Sequence, residues 1–162
     1  MKILNVLRHA KSSWADSGQS DIDRVLNPRG EKDCITMAPA IEEAGCKFDY
    51  VVVSPASRAQ QTISGINSVL QFGEWYTEAA MYTFDWRQLN DCVAALADGF
   101  DDALLVGHNP AITEFCNHLS DARIDNVPTC SFARIEFSVD SWRDIKDVEG
   151  KMTAFITPKS LV

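Results

Sequence analysis

The sequence predicts an α/β fold, a three-layer α/β/α sandwich whose sheet is mostly parallel and carries an antiparallel hairpin at its C-terminal edge. Short apolar runs typical of buried strands alternate with segments of helical periodicity, which is the pattern of a parallel sheet covered by helices. The last two apolar segments show partial alternation of apolar and polar residues, which favours more exposed antiparallel strands. A length of 162 residues fits one domain, spanning residues 1–162.

The N-terminal quarter of the chain predicts a strand, a loop and a helix. Ile3–Leu7 is an apolar run typical of a buried strand, and the polar stretch Lys11–Asp23 forms a loop. A helix follows over Pro28–Ala44, with Gly45 as its C-terminal stop. The predicted buried face of this helix consists of Ile35, Ala38 and Ile41.

The second strand is the clearest, because Tyr50–Val53 is a tyrosine followed by a β-branched run. A helix starts near Ala56, and Glu74–Phe84 is ambiguous between a short strand and a loop. Asp85 begins a capping box that opens a third helix. The helical spacing places on the buried faces of these two helices Ala59, Ile63, Ile66 and Leu70, and then Leu89, Val93 and Leu96.

A third buried strand is predicted over Ala103–Val106. Asn109 then caps a fourth helix that has Pro110 at its first position, a favoured place for proline. Phe132–Phe137 and Met152–Ile156 are the two alternating segments, and we expect them to pair as a hairpin at a sheet edge.

Charge and composition exclude several classes of protein. The formal net charge of −8 argues against general binding of nucleic acid or anionic membranes, which needs a basic surface. No apolar run is long enough for a membrane span, and the apolar stretch before Arg8 is too short for a secretory signal. The five scattered cysteines show no disulfide or zinc spacing. We therefore expect a cytoplasmic protein.

Unusual polar residues follow three predicted strands directly. They occupy Arg8–His9, Ser54–Arg58 and Gly107–Pro110. If the strands are parallel, all three segments emerge at the carboxyl edge of the sheet, where open α/β sheets bind ligands. The remaining histidine, His118, lies late in a helix, where a positive charge suits the dipole, and we interpret it as structural.

Arg8, His9, Arg58 and His108 would together form an anion site suited to phosphate. Guanidinium groups donate paired hydrogen bonds to phosphoryl oxygens and offset charge in the transition state. They also depress the pKa of a nearby histidine by like-charge repulsion, which keeps its nitrogen neutral and nucleophilic. The same charges would repel a metal ion, so we expect neither metal nor cofactor.

Four segments resemble the signature motifs of the histidine phosphatase (phosphoglycerate mutase-like) superfamily, in order and spacing. Leu7–Trp14 resembles the "RHG" signature, and Asp23–Gly30 resembles the "RPLT-x-x-G" segment. Ser54–Thr62 matches "SP-x-x-RA-x-QT", and Gly107–Pro110 matches "(G/S)H-x-P". Two departures, Ala10 for the common glycine and Val25 for the frequent proline, remove no phosphate contact.

The resemblance implies that His9 accepts the phosphoryl group as a phosphohistidine, which water then hydrolyses. Arg8, Arg58 and His108 would hold the phosphate. The short chain, with few insertions over the site, looks most like the SixA branch, which removes phosphate from phosphohistidine on signalling proteins. Many members place a carboxylate near the leaving group, and Glu78 is the candidate proton donor here.

Two other functions stay open. One is a hydrolase or mutase acting on a small phosphorylated metabolite, and the other is a non-catalytic phosphate-binding module on the same fold. The segment Asp21–Val25 has the look of an aspartyl-phosphate phosphatase motif, but no hydrophobic strand precedes it. The chain also lacks the glycine-rich loops of nucleotide-binding proteins.

Overall fold

Six strands form one mixed sheet in the computed structural model, which describes residues 1–162. Their bounds are Lys2–Arg8 (β1), Tyr50–Val53 (β2), Tyr76–Thr77 (β3), Asp102–Gly107 (β4), Phe132–Phe137 (β5) and Lys151–Ile156 (β6). The strand order across the sheet is β3-β2-β4-β1-β5-β6. The first four of these pair in parallel, whereas β5 and β6 are antiparallel to their neighbours. The predicted fold class is confirmed, including the C-terminal hairpin at one edge.

Four α-helices cover the sheet in pairs, one pair on each face. Their bounds are Pro28–Glu43 (α1), Ser57–Leu70 (α2), Trp86–Ala94 (α3) and Ala111–Leu119 (α4). Successive side chains of a strand point to opposite faces. Leu104 and Val106 of β4 therefore lie in the core beneath α1 and α2, whereas Ala103 and Leu105 lie in the core beneath α3 and α4. None of the helices is long and apolar enough to cross a lipid bilayer.

Helix α1 begins and ends where the sequence predicts, but it presents a different face to the core. The Asn27 side chain accepts a hydrogen bond from the Gly30 N–H at 2.8 Å, which caps the first turn. The prediction that Ile35 is buried is wrong, because this side chain is 49% exposed. Cys34 and Met37 pack inward instead, with relative exposures of 1% and 0%.

The starts of α3 and α4 also differ in detail from the sequence prediction. Asp85 caps α3 by accepting a hydrogen bond from the Arg87 N–H at 2.9 Å, but Gln88 returns no bond, so the capping box is incomplete. Helix α4 begins at Ala111, and Pro110 is its N-cap residue rather than its first helical residue. The Asn109 side chain still accepts from the backbone N–H of α4, at Thr113.

The C-terminal hairpin is half buried rather than exposed throughout. Strand β5 lies between β1 and β6, so most of its side chains are buried. Only β6, at the edge of the sheet, alternates between exposed and partly buried side chains. The ambiguous stretch Glu74–Phe84 contains the short strand β3 and a 3-10 turn at Ala79–Met81.

The loop after β1 packs directly on the first turn of α1. Ser12 bridges to Leu26, and the Asn27 N–H donates to the Lys11 carbonyl at 3.0 Å. A Cβ atom on Gly30 would lie 2.2 Å from the Lys11 carbonyl oxygen, a distance that no side chain can adopt. Glycine at position 30 therefore allows the helix to approach the chain that immediately follows the end of β1.

We expect Gly30→Ala to lower the free energy of unfolding by about 1–3 kcal/mol or more, the usual cost of overpacking against groups that cannot move. Gly99→Ala is the matched control, because a Cβ there meets open space and its φ lies outside the left-handed region. The control should stay within about 0.5 kcal/mol of the parent chain. Urea unfolding followed by circular dichroism measures both, and equal stabilities would contradict the packing described for Gly30.

Candidate active site

The three polar segments predicted to meet do converge at the carboxyl edge of the sheet. The parallel register pairs Arg8 with Gly107 and Val53 with Val106, so β1, β2 and β4 end at the same level. A cavity of about 230 Å³ opens there. The four predicted residues that line it are Arg8, His9, Arg58 and His108.

His9 is held with one ring nitrogen, Nε2, unprotonated. Its backbone N–H donates to the Gly107 carbonyl at 3.1 Å, which extends the β1–β4 ladder by one residue. Its Nδ1 lies 2.7 Å from the Ala10 carbonyl oxygen. A carbonyl only accepts, so Nδ1 carries the proton, and Nε2 of the neutral ring keeps an unprotonated lone pair. The nearest donor to Nε2 is Arg58 Nε at 3.4 Å.

Burial and charge keep His9 neutral at physiological pH. Its pKa falls from 6.5 to about 4, chiefly because the buried ring is desolvated and then because Arg58, Arg8 and Arg24 repel a positive charge. The hydrogen bond to Ala10 opposes this shift without cancelling it. The repulsion by arginines that the sequence predicts contributes to this shift, but burial of the ring is the larger cause.

His108 lies beside His9, with 5.2 Å between the ring centroids. Burial, followed by repulsion from His9 and Arg58, lowers the pKa of His108 from 6.5 to about 3. Its Nδ1 atom and the Nε atom of Arg8 are both buried without a hydrogen-bond partner in the protein. Because buried polar atoms are rarely left unpaired, these two atoms are placed to bind a ligand in the cavity.

Hydrogen bonds to other parts of the chain hold the Arg8 and Arg58 guanidinium groups in place. Arg8 Nη1 donates to the Val127 carbonyl at 2.8 Å, in the loop before β5. Arg58 donates from Nη1 to the Asp21 carbonyl at 2.6 Å and from Nη2 to the Asp21 carboxylate at 3.0 Å. Arg58 Nε lies 3.4 Å from His9 Nε2, whereas Arg8 Nε has no hydrogen-bond partner in the protein.

Asp21 also lines the cavity and holds Arg58, although it is not among the site residues predicted from the sequence. Its carboxylate accepts from Arg58, from Arg24 at 3.0 Å and from the Tyr82 hydroxyl at 2.6 Å. These donors hold the pKa of the Asp21 carboxyl well below its usual range, the Tyr82 bond contributing most. Nothing in the sequence links a polar-loop aspartate to an arginine 37 positions away, so only the fold identifies this contact.

Aromatic side chains form the open rim of the cavity. Trp14 is 73% exposed and stacks on the Arg24 guanidinium, whose Cζ lies 3.4 Å from the ring centroid. Phe84 is 49% exposed, and its ring contacts His108 edge-on at 5.8 Å. The interior of the cavity is therefore polar and cationic, whereas its most exposed lining residues are aromatic.

Glu78, the candidate proton donor, and His118, interpreted as structural, both lie outside this cavity. Glu78 lines a separate cavity of about 490 Å³ between β2 and α3, together with Asp91 and Cys92. Its carboxylate accepts from the Ala80 N–H at 3.3 Å, and the structure does not bring it to the cavity of His9. His118 is exposed and stacks on Trp86, outside the cavity as expected.

The charge of the cavity is opposite to that of the chain. Arg8, Arg24, Arg58 and Lys11 line it with a single carboxylate, Asp21, although the chain carries a net charge of −8. Local cations thus offset the global field at this one place. No group of three His, Cys, Asp or Glu side chains is arranged to hold a metal ion.

The sequence matches the model of the histidine phosphatase superfamily (branch 1) over residues 4–91. This range contains the segments that supply Arg8, His9, Asp21 and Arg58 to the cavity. An uncharacterized chloroplastic protein of Arabidopsis thaliana is 25% identical over 173 aligned positions, covering 98% of this chain and 79% of the plant protein.

Two solved structures share the fold over nearly the whole chain. A candidate phosphohistidine phosphatase SixA from Nakamurella multipartitia superposes with a TM-score of 0.82 at 22% identity, covering 97% of this chain and 96% of that one. The protein histidine phosphatase SixA, solved with tungstate, gives a TM-score of 0.82 at 19% identity and 99% coverage of both chains. The fold is therefore the phosphoglycerate mutase-like one.

We expect both cavity histidines to stay neutral well below pH 6.5. In an NMR titration of the ring signals, His9 should protonate only near about pH 4 and His108 near about pH 3. Since both folded pKa values lie below the unfolded value, their contribution to stability is fully present above about pH 6.5. It is lost as pH falls to about 4 for His9 and to about 3 for His108. His9→Gln should weaken that pH dependence of unfolding, and a His9 midpoint near 6.5 would contradict the assignment.

Proposed function

The chain belongs to the histidine phosphatase superfamily, and on that premise we propose that it is a phosphatase that takes the phosphoryl group of a protein phosphohistidine onto its own His9. The observation that carries the proposal is the unprotonated Nε2 of a buried, neutral His9, which faces a cavity lined by three arginines. A nucleophile of this kind needs no base to remove a proton, because Nε2 carries none.

In the first step, His9 Nε2 attacks phosphorus and a new N–P bond forms while the N–P bond of the substrate breaks. If the second ring nitrogen of the substrate carries a proton, the departing electron pair leaves the substrate as neutral imidazole. Arg8, Arg58 and His108 stabilise the charge on the phosphoryl oxygens during transfer. In the second step, water attacks phosphorus, inorganic phosphate leaves, and Nε2 recovers its lone pair.

The lack of a protonated carboxyl group in the cavity supports phosphohistidine over an alkyl phosphate. Asp21 is the single carboxylate there, and its depressed pKa keeps it ionised at neutral pH. The Tyr82 hydroxyl already donates to Asp21, and this bond is the main reason that the pKa of Tyr82 is raised. An alkoxide needs a proton to leave, whereas neutral imidazole does not.

The shape of the rim supports a substrate presented on a protein surface. Trp14 and Phe84 are exposed at the entrance, where they can pack against an aromatic side chain and its surroundings. A small phosphorylated metabolite remains the second candidate substrate. We propose that hydrolysis of either substrate requires no metal ion, since Arg8, Arg24 and Arg58 already supply positive charge.

We predict that His9→Ala abolishes turnover because it removes the nucleophile. The wild-type protein, quenched during reaction with a phosphohistidine protein, should carry an acid-labile, base-stable phosphoryl group that His9→Ala lacks. His118→Ala is the matched control, an exposed histidine outside the cavity, and should keep full activity. If His9→Ala retains most of the activity while folded by circular dichroism, covalent catalysis is refuted. Single-turnover release of phosphate by the wild type separates an enzyme from a phosphate-binding module.

We also predict that kcat/KM is higher for a phosphohistidine protein or an aryl phosphate than for alkyl phosphates, by about 10²–10⁴-fold, the usual value of a general acid. Glu78→Gln should leave all of these rates nearly unchanged, because Glu78 lies outside the cavity. A chelator should likewise have no effect. A clear preference for an alkyl phosphate that Glu78→Gln abolishes would support the small-metabolite function instead.

A further inference from the structure

Ser54 forms a hydrogen bond with Nε2 of the His108 ring. Its side chain is fully buried at the end of β2, and Oγ lies 2.7 Å from His108 Nε2. The Ser54 backbone is fixed at both ends, since its N–H donates to the Val106 carbonyl at 3.1 Å and its carbonyl accepts from Gln60 at 2.9 Å. The hydroxyl is therefore presented to the imidazole by the sheet itself.

The proton of this hydrogen bond can be assigned by counting donors and acceptors. Ser54 Oγ already accepts from the Ala56 N–H at 3.2 Å, and the only acceptor within reach of its own proton is His108 Nε2. If Nε2 carried a proton instead, the hydroxyl proton would be buried without an acceptor, which is costly. The count thus makes Ser54 the donor and Nε2 the acceptor.

The assignment determines what His108 offers to the cavity. A neutral imidazole has one proton, so a ring that accepts at Nε2 must carry its proton at Nδ1. Nδ1 is the buried nitrogen without a protein partner, on a ring that lines the cavity beside His9. The other tautomer would turn a lone pair toward an anionic phosphoryl oxygen.

We propose that Ser54 is a positioning residue that selects the Nδ1–H tautomer of His108 and so gives the phosphoryl group a hydrogen-bond donor. The proposal rests on the proposed function for the identity of the ligand. The tautomer itself can be measured without any substrate, so the two proposals can fail separately.

Nitrogen-15 NMR of the His108 ring tests the tautomer directly. In the wild-type protein, alone and with inorganic phosphate, Nδ1 should give the shift of a protonated nitrogen and Nε2 that of an unprotonated one. Ser54→Ala should shift part of the population to the Nε2–H form. Ser131→Ala is the matched control, because it removes a buried hydroxyl that has no hydrogen-bond partner, and it should leave the tautomer unchanged. An Nε2–H form in the wild type would overturn the proposal, even if Ser54→Ala failed to fold.

The steady-state kinetics of Ser54 variants then distinguish a positioning role of Ser54 from a purely structural one. Ser54→Ala should lower kcat more than it raises KM, because a misplaced proton weakens binding most in the transition state. The loss should be smaller than that of His108→Ala, for which removal of a whole donor predicts about 10²–10³-fold. Ser54→Cys, which keeps a weak donor, should recover part of the rate. Unchanged kcat in a folded Ser54→Ala protein with a mixed tautomer would refute the role.

Discussion

The backbone ladder that joins β1, β4 and β2 is the constraint on which the site depends. Its last hydrogen bonds involve two residues of the candidate site. The His9 N–H donates to the Gly107 carbonyl and the Ser54 N–H donates to the Val106 carbonyl, each at 3.1 Å. A slip by one residue in either pairing would move every side chain of a strand to the other face of the sheet. The parallel register thus fixes the two cores, the position of His9 and the position of Ser54 beside His108.

The charge at this edge of the sheet is opposite in sign to the net charge of the chain. A chain with a net charge of −8 repels anions in general, so selectivity for a phosphoryl group has to come from a small, buried set of guanidinium groups. The same burial that strengthens these charges keeps the His9 and His108 rings neutral, because a desolvated imidazole resists protonation. Asp21 balances part of the positive charge while directing Arg58. In the proposed mechanism, phosphate binding and the nucleophilicity of His9 therefore have a common physical origin in burial.

The places where the structure differs from the sequence-based expectations, or adds to them, share one cause, which is that each depends on contacts between residues far apart in the chain. Helical spacing alone cannot choose between Ile35 and Cys34 as a core residue of α1, because the choice depends on how α2 approaches. Glu78 was selected because carboxylates are expected in its segment, yet the 3-10 turn that it caps directs it into another cavity. Asp21 lies in a segment set aside as a false motif, and it reaches Arg58 only because the loop after β1 folds over the cavity.

The sequence by itself determined the alternation of strands and helices, the carboxyl edge as the place where three polar segments meet, and four of the residues that line the cavity there. These follow from short-range rules: a strand needs an apolar run, a helix needs its period, and parallel strands end on the same side. Only the tertiary structure decided that Asp21 joins the site, that Glu78 does not, and that burial rather than charge dominates the pKa of His9. It also decided which proton His108 carries. Each of these depends on distances between residues far apart in the chain. Such distances are set only when the strands pair in register and the loops pack against the sheet.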